Sequence, residues 1–364
     1  MFYSTSVGLD VHARSITAAA LVLETGEIIE RSFSYEPDSL ADWIKTLPRP
    51  VHCVYESGPT GFHLRRRLET HGIACVIGAV TKMLRPTGDK VKNDKRDAIF
   101  LARMLAVGNI VEVYIPDPEE EAARDLARAR EDVRHDLTRA KQLLSKFLLR
   151  KGIVYEKGKS AWTKTHRRWL NSLVFDNENE CLVMEEYLMA IAEEERRRDR
   201  LDEKIKAMAQ KPRFRRTVAN LCCLRGISTV SSFAIAVEIG DFTRFKKARS
   251  FVSYLGLHPS LNESGESSSS GKITKTGNSH VRRLLVEAAW HHARLYCPSA
   301  DGLQAGYASV CCEAAQLAKK ANARLHERAV YLKKRRLNPC KANTAVAREL
   351  AGFVWALALA KVDA

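Results

Sequence analysis

Three strand-like runs stand in tandem at the head of this chain, and strand and helix patterns then alternate. Few architectures accept that order. Ser6-Val7-Gly8-Leu9-Asp10 is an apolar run that reads as a first β-strand. Ser15–Leu23 and Glu27–Phe33 flank Glu24-Thr25-Gly26, a turn that predicts a hairpin. Asp38–Leu47 has the spacing of a short amphipathic helix, and Val51-His52-Cys53-Val54-Tyr55-Glu56 reads as the next strand. A helix over Gly61–His71, a strand over Ile73–Gly78 and a helical stretch from Asn93 to Arg103 complete the series.

Three antiparallel strands followed by helix, strand, helix, strand, helix is the ribonuclease-H-like order. It sets Asp10, which closes the first run, beside Glu56, which closes the fourth, because consecutive elements tend to become neighbours. Asp94 and Asp97 are three apart, which puts both carboxylates on one helix face. Carboxylates from two strand ends and one helix face can converge into an oxygen-rich cage, the kind of site chosen by hard divalent cations such as Mg²⁺. In a chain of net charge +16, such a cage suggests metal-assisted phosphodiester chemistry on nucleic acid. His12, two residues past Asp10, points to the same side if the strand continues. It reads as a contact of the metal shell or as a surface histidine at a strand end.

With 364 residues the chain is long enough for two or three domains. Its 59 Lys and Arg against 43 Asp and Glu favour a polyanionic partner over a merely soluble basic protein. None of the nine cysteines has CxxC spacing, and the adjacent pairs Cys222-Cys223 and Cys311-Cys312 lie in apolar helical stretches. Neighbours on a helix diverge by about 100°, so reduced, mostly buried thiols of a cytoplasmic protein are expected rather than disulfides or a zinc clamp. No signal peptide is read at the N-terminus. The apolar tail Ala351–Val362 is too short to span a bilayer, so a soluble protein with no membrane partner is expected.

Pro116 and Pro118 mark a change of regime. From Glu119 to about Gly152 runs one long charged helix with Leu126, Val133, Leu137, Leu143, Leu144, Phe147 and Leu148 at helical spacing, and a second covers roughly Glu180–Gln210. Together they predict an antiparallel coiled-coil arm, or a plain helical bundle with a solvated face. After Lys211-Pro212 the chain becomes compact and helical. Leu224-Arg225-Gly226-Ile227-Ser228 suits either a helix-hairpin-helix phosphate turn or an ordinary turn. Leu261–Gly271 reads as a polar loop, Ser279–Arg294 as a basic helix, and Thr344–Lys361 as an amphipathic tail helix. The His-x-x-Arg spacing at His291–Arg294 has no accompanying recombinase pattern and reads as chance.

Val-Gly-Leu-Asp-Val-His from Val7, Tyr-Glu-Ser-Gly-Pro-Thr-Gly from Tyr55, Lys-Asn-Asp-Lys-Arg-Asp-Ala from Lys92, Asn-Glu-Ser-Gly from Asn262 and Gly-Lys-Ile-Thr-Lys-Thr-Gly-Asn from Gly271 occur in one order. In that order they resemble the DEDD transposases of insertion sequence family one-hundred-and-ten, relatives of the Piv/MooV invertases. The likeness runs from Val7 to about Ala289. It implies an α/β RuvC-like (ribonuclease-H-like) nuclease domain over 1–116, a helical coiled-coil arm over 117–212, and an all-α C-terminal transposase domain over 213–364. It implies that Asp10, Glu56, Asp94 and Asp97 form the catalytic tetrad, holding one or two Mg²⁺ ions for which Mn²⁺ can substitute. It further implies a serine nucleophile that matches Ser264, with Ser267 as the runner-up, and a phosphoserine link that permits rejoining. Lys92, Lys95 and Arg96 beside the tetrad suit phosphate contacts or a mere balance of charge, and Lys272, Lys275, Arg282 and Arg283 near the serine would suit DNA backbone contacts. The implied partners are element-end and target DNA, a structured bridge RNA, and further copies of the chain as a homodimer or homotetramer. A RuvC-type endonuclease that hydrolyses branched DNA is the alternative, and it would leave the serine segment without a role. A non-catalytic relative that only binds nucleic acid is a third reading, against which the intact tetrad argues.

Overall fold

The computed structural model describes residues 4–79, 93–156, 158, 160–264 and 267–360, and of 261–264, 267, 268 and 270 the backbone alone. The chain falls into two compact units, Met1–Ile115 and Pro116–Ala364.

The first unit is a mixed α/β domain. Its elements are β1 (Thr5–Val11), β2 (Ser15–Val22), β3 (Ile28–Ser34), α1 (Pro37–Lys45), β4 (Val51–Glu56), α2 (His63–Thr70), β5 (Ala74–Gly78) and α3 (Asp94–Ala106). The sheet order is β3-β2-β1-β4-β5. β1 to β3 pair antiparallel, while β1, β4 and β5 run parallel. This is the order expected of the ribonuclease-H-like reading. Alternate residues of β1 face opposite sides. Val7 and Leu9 join Leu40, Ile44, Leu64 and Leu68 in a core beneath α1 and α2. Ser6, Gly8 and Asp10 face α3.

The second unit begins with α4 (Pro118–Arg150), α5 (Lys164–Asn171) and α6 (Glu178–Ala209). α4 and α6 pack antiparallel as the arm. Arg130 Nε meets Asp202 Oδ1 at 2.7 Å, and further along Lys141 Nζ meets Glu195 Oε1 at 3.2 Å. Leu137, Leu144, Phe147 and Leu148 close on Met184, Ile191 and Leu170 at the far end. Leu143, which has the same spacing, is instead exposed. The near end is not free-standing, since Ala123, Ala127, Ile205 and Ala209 share a core with Phe214, Val218, Phe233 and Val237.

Beyond the arm come α7 (Pro212–Cys222), α8 (Thr229–Ile239), α9 (Ala248–Tyr254), β6 (Pro259–Ser264), β7 (Ser267–Ile273) and α10 (Ser279–Ala289). A 3-10 turn (Trp290–Ala293), α11 (Asp301–Ala308), α12 (Cys312–Lys334) and α13 (Pro339–Leu359) follow. Several expectations are corrected here. The polar segment 261–271 is not a loop: β6 and β7 form an antiparallel hairpin. Its pairing is carried by backbone hydrogen bonds, which a serine run supplies without any apolar alternation to announce it. Among the described residues, the regular structure of the unit is therefore helical apart from one hairpin. The basic helix stops at Ala289, and the tail helix starts five residues earlier than its apolar pattern, because Asn338 caps it and Pro339 occupies its first turn. Both cysteine pairs lie at helix ends. All nine thiols are free, with Cys53, Cys75 and Cys223 buried and Cys297, Cys312 and Cys340 exposed, so "mostly buried" does not hold. Among the described residues, no helix is long and apolar enough to cross a membrane.

Candidate functional site

The acidic site is assembled by a match between two periodicities. Along β1, residues two apart on one face advance about 6.7 Å, and along an α-helix residues four apart advance about 6 Å. Ser6 Oγ donates to Ala102 O at 2.7 Å, wholly inside the protein. Two residues on, Gly8 lies beneath Ala98, so closely that a Cβ there would stand 2.0 Å from Ala98 O. Two residues further, Asp10 reaches Asp94. The strand and helix thus run antiparallel in register, and the absence of a side chain at Gly8 is what lets α3 lie against the sheet. Asn93 caps α3, accepting from Lys95 N at 3.1 Å, which places Asp94 and Asp97 in the first turn. The exposed amide groups there favour negative charge.

His12 Nε2 stands 3.3 Å from Asp10 Oδ2 and 3.6 Å from Asp94 Oδ2. One donor atom from each of these three residues falls within 4.8 Å of the others. Glu56 enters from the next strand. Leu9 pairs with Tyr55 across the parallel β1–β4 ladder, so Asp10 and Glu56 are the next step of it. Both line a cleft of about 520 Å³ with His12, Tyr35 and the turn Ser57–Thr60. Burial pushes the Asp10 carboxyl above its ordinary range, His12 opposes this, and Asp94 and Asp97 push it further up. Repulsion of that kind is relieved by a cation. Two carboxylates and an imidazole around one point, with a third carboxylate in the same cleft, fit a divalent metal ion. His12 is exposed just past the end of β1 and stands beside both carboxylates, which is compatible with either reading of it.

The structure gives the basic candidates varied surroundings. Lys92 lies outside the described residues. Lys95 Nζ is 3.3 Å from Glu30 Oε2, on β3, and Arg96 is exposed. Lys272 and Lys275 are exposed, the latter with φ +56°. Arg282 braces the turn before α10, donating to Leu255 O at 2.8 Å and Thr276 O at 3.0 Å. Arg283 spans Glu131 and Glu287, each at 2.7 Å. The arginines near the base of α4 are likewise engaged. Arg124 donates to Val237 O at 2.9 Å, Arg128 to Glu238 Oε1 at 2.7 Å, and Arg134 to Glu131 Oε1 at 2.8 Å.

Ser264 ends β6 and Ser267 begins β7, and the two are direct partners in the ladder. The strand β7 leads through a rigid turn into α10. Gly256 and Gly277 both take φ near the left-handed region, +63° and +71°. A Cβ on Gly277 would lie 1.8 Å from Tyr254 O. Asn278 then acts twice, accepting from Val281 N at 2.9 Å as the α10 cap and donating to Glu238 Oε2 at 2.8 Å. Glu238 is buried, and its carboxyl is held below the usual range. Burial alone would raise it, but His280, Arg128 and Asn278 outweigh that. Sequence reasoning missed this network; Glu238 sits in an apolar helix with no local sign of partners 40 and 110 residues away. The suggested helix-hairpin-helix turn has an internal explanation. Ser228 and Ser231 form a capping box for α8, and Gly226 fits against Ala288.

Comparison with known proteins gives this arrangement its context. Residues 7–152 match the IS110-type family of DEDD transposases, described as "Transposase", and residues 218–302 match "Transposase IS116/IS110/IS902 family". A putative transposase, y4qE, of Sinorhizobium fredii is 36% identical over 310 residues, which is 85% of this chain and 75% of that protein. The transposase for insertion sequence element IS1533 of Leptospira borgpetersenii is 33% identical over 329 residues, 88% of this chain and 94% of that one. A probable family 20 transposase of Pseudomonas aeruginosa is 26% identical over 68% of this chain and 72% of its own. The class is therefore that of DNA transposases. Within it, the chain belongs to the IS110 family of DEDD transposases.

Proposed function

We propose that this transposase cleaves and rejoins DNA with a RuvC-like acidic site, Asp10, Glu56, Asp94 and Asp97, working with Ser264 as nucleophile. The observation that carries the reading is the convergence of Asp10, His12 and Asp94 within 4.8 Å, in a domain where Glu56 shares the cleft with Asp10. Asp10, Asp94 and Glu56 would hold Mg²⁺ or Mn²⁺, with His12 and Asp97 completing the surroundings. A bound divalent ion supplies positive charge to a scissile phosphate and to the leaving oxygen. The chain's own part is to orient the phosphate and supply the nucleophile. Ser264 Oγ gives up its proton as it attacks phosphorus, the bond from phosphorus to the leaving sugar oxygen breaks, that oxygen takes up a proton to leave as a hydroxyl, and the phosphoserine link conserves the diester for rejoining. Transposition requires rejoining, which is why this reading stands ahead of hydrolysis by a RuvC-type endonuclease.

Sequence choice is assigned to a structured bridge RNA, with the protein recognising backbone and shape. The arm over 117–212 and the first domain are its proposed seat, in a dimer or larger assembly. The support is that nothing in the sequence resembles a base-reading DNA module.

The experiment is to incubate full-length protein with Mg²⁺, element-end DNA and the element's non-coding RNA, and to seek a protein–DNA adduct. Ser264→Ala should abolish adduct and joining, and Ser267→Ala should retain much of both. An adduct on another residue, or full joining by Ser264→Ala, overturns the nucleophile. Equal site-specific joining without RNA overturns the guide alone.

A further inference from the structure

Half of the net charge of this protein is concentrated in one surface that neither the tetrad nor the serine hairpin uses. Residues 319–349 contain ten Lys and Arg against Glu327 and Glu349, a balance of +8 in a chain of +16. This surface lies on α12 and the start of α13, beyond residues 218–302 that match the family's C-terminal part.

The charge is ordered by the helix. Lys320, Arg324, Arg328, Tyr331 and Arg335 are spaced by four, four, three and four. At about 100° per residue they fall within an arc of about 80°, along about 22 Å of helix. The adjoining face, about 100° further round the helix, carries Ala314, Ala318, Ala321, Leu325, Ala329 and Leu332 and is buried in the core. The stripe cannot turn inward. Its only acidic neighbour across the helix pair among the described ion pairs is Glu349, shared by Arg324 at 3.3 Å and Arg328 at 3.1 Å. Lys320, Lys333, Lys334, Arg335 and Arg336 stay exposed. Tyr331, 48% exposed, lies between two guanidinium groups, with Arg328 Cζ 5.5 Å and Arg335 Cζ 5.9 Å from its ring centroid. An aromatic ring flanked in this way restrains both arginines before any ligand arrives, which lowers the ordering cost of binding.

We propose that the α12 stripe, together with the exposed run Lys333–Arg336 that ends it, is a binding site for the phosphodiester backbone of duplex DNA, independent of base sequence. A balance of +8 over one helix pair calls for a polyanionic ligand. Among polyanions, DNA is the substrate of the family to which the chain belongs. A rigid helix with cations along about 22 Å suits a B-form duplex, whose charges come every 1.7 Å or so of axis and whose major groove is about 12 Å wide. Four of the stripe's five residues are cations, whose charge neutralises phosphates whatever the base sequence, so it positions the duplex and leaves sequence to other parts.

The test measures binding of full-length protein, in EDTA so that cleavage does not intervene, to a fluorescent duplex of unrelated sequence across a salt series. The variant Lys334→Gln, Arg335→Gln, Arg336→Gln should weaken duplex binding by about tenfold or more. It should reduce the slope of log affinity against log salt by about 2 to 3, close to 0.9 for each phosphate that is no longer neutralised. Exchanging the same positions conservatively, Lys334→Arg, Arg335→Lys, Arg336→Lys, should restore both. An equal charge change elsewhere in the unit, Lys246→Gln, Lys247→Gln, Arg249→Gln, should leave the slope near that of the wild type. An unchanged slope in the first variant overturns the site, as does an equal loss in the Lys246 control set. Loss confined to a structured RNA probe, with duplex binding intact, overturns the assignment to DNA.

Discussion

Asp10 meets Asp94 because β1 and α3 run antiparallel in matched steps, with His12 Nε2 3.3 Å from the first carboxylate and 3.6 Å from the second. The step below them is Gly8 under Ala98, and the one below that is the Ser6–Ala102 hydrogen bond. The approach of Asp94 to Asp10 therefore depends on a residue that has no side chain.

Gly8→Ala tests that dependence. Its Cβ would meet backbone, 2.0 Å from Ala98 O and 2.5 Å from Ala102 N, which no rotamer change can relieve. Overpacking of this kind costs about 3 kcal/mol or more. We expect a lower unfolding midpoint in urea. In whatever protein remains folded, we expect lost cleavage, since α3 must move away and carry Asp94 and Asp97 with it. Wild-type stability and cleavage in Gly8→Ala would show that α3 does not need this close approach.

The Glu238–Asn278 pair makes a second prediction. Asn278→Ala removes a helix cap worth about 1 kcal/mol and takes a donor from a buried carboxylate, about 1–3 kcal/mol more. Asn278→Asp keeps the cap yet sets a carboxylate against Glu238, so it should be the worse of the two at pH 7. Its deficit should shrink on acidification as one of the pair takes a proton. Urea unfolding of both variants at pH 7 and pH 5 measures this; an Asp variant as stable as wild type at pH 7 would refute the contact.

How far these features could be read in advance depends on the range of the interaction that makes them. The strand order, the arm and the placement of Asp10 and Glu56 follow from local periodicity and from neighbours in sequence, and they were legible. The hairpin β6–β7 was not, because Leu261–Ile273 has almost no apolar alternation and its pairing is between backbones. The nearness of His12 to Asp94 was not legible, because it is α3 that brings Asp94 there. Arg282 and Arg283 suit phosphate contacts in the sequence, and Arg124, Arg128 and Arg134 stand there only as basic residues of a long charged helix. The structure gives each an internal acceptor, four of them with acceptors distant in the chain, and no pattern in a single sequence announces such pairs.

Buried His292 sets a pH dependence. It is fully enclosed, neither ring nitrogen makes a well-formed hydrogen bond among the described residues, and its pKa is depressed to about 3 by burial, with Arg225, His291 and His326 adding to the effect and a weak backbone contact at Arg225 opposing it. Unfolded, it would titrate near 6.5. The unfolded chain therefore binds the proton more readily, and stability should fall as pH drops from about 6.5 toward 3, by up to about 1.4 kcal/mol per pH unit from this group. Above about 6.5 the group contributes no slope. His292→Phe should unfold with a flatter pH dependence than the wild type between pH 6.5 and 5, measured by urea midpoints. An identical slope would mean that His292 is protonated in the folded state.

The most direct test of the acidic site is to titrate the full chain with Mn²⁺, follow the free ion by electron paramagnetic resonance, and assay cleavage of element-end DNA in Mg²⁺ on the same preparations. Wild type should bind Mn²⁺ and cleave. Asp10→Asn and Asp94→Asn should each bind the ion at least about tenfold more weakly, because losing a ligand exceeds the cost of losing an outer-shell partner. They should lose cleavage while holding DNA as before. Unchanged Mn²⁺ affinity together with wild-type cleavage by Asp10→Asn would contradict the assignment.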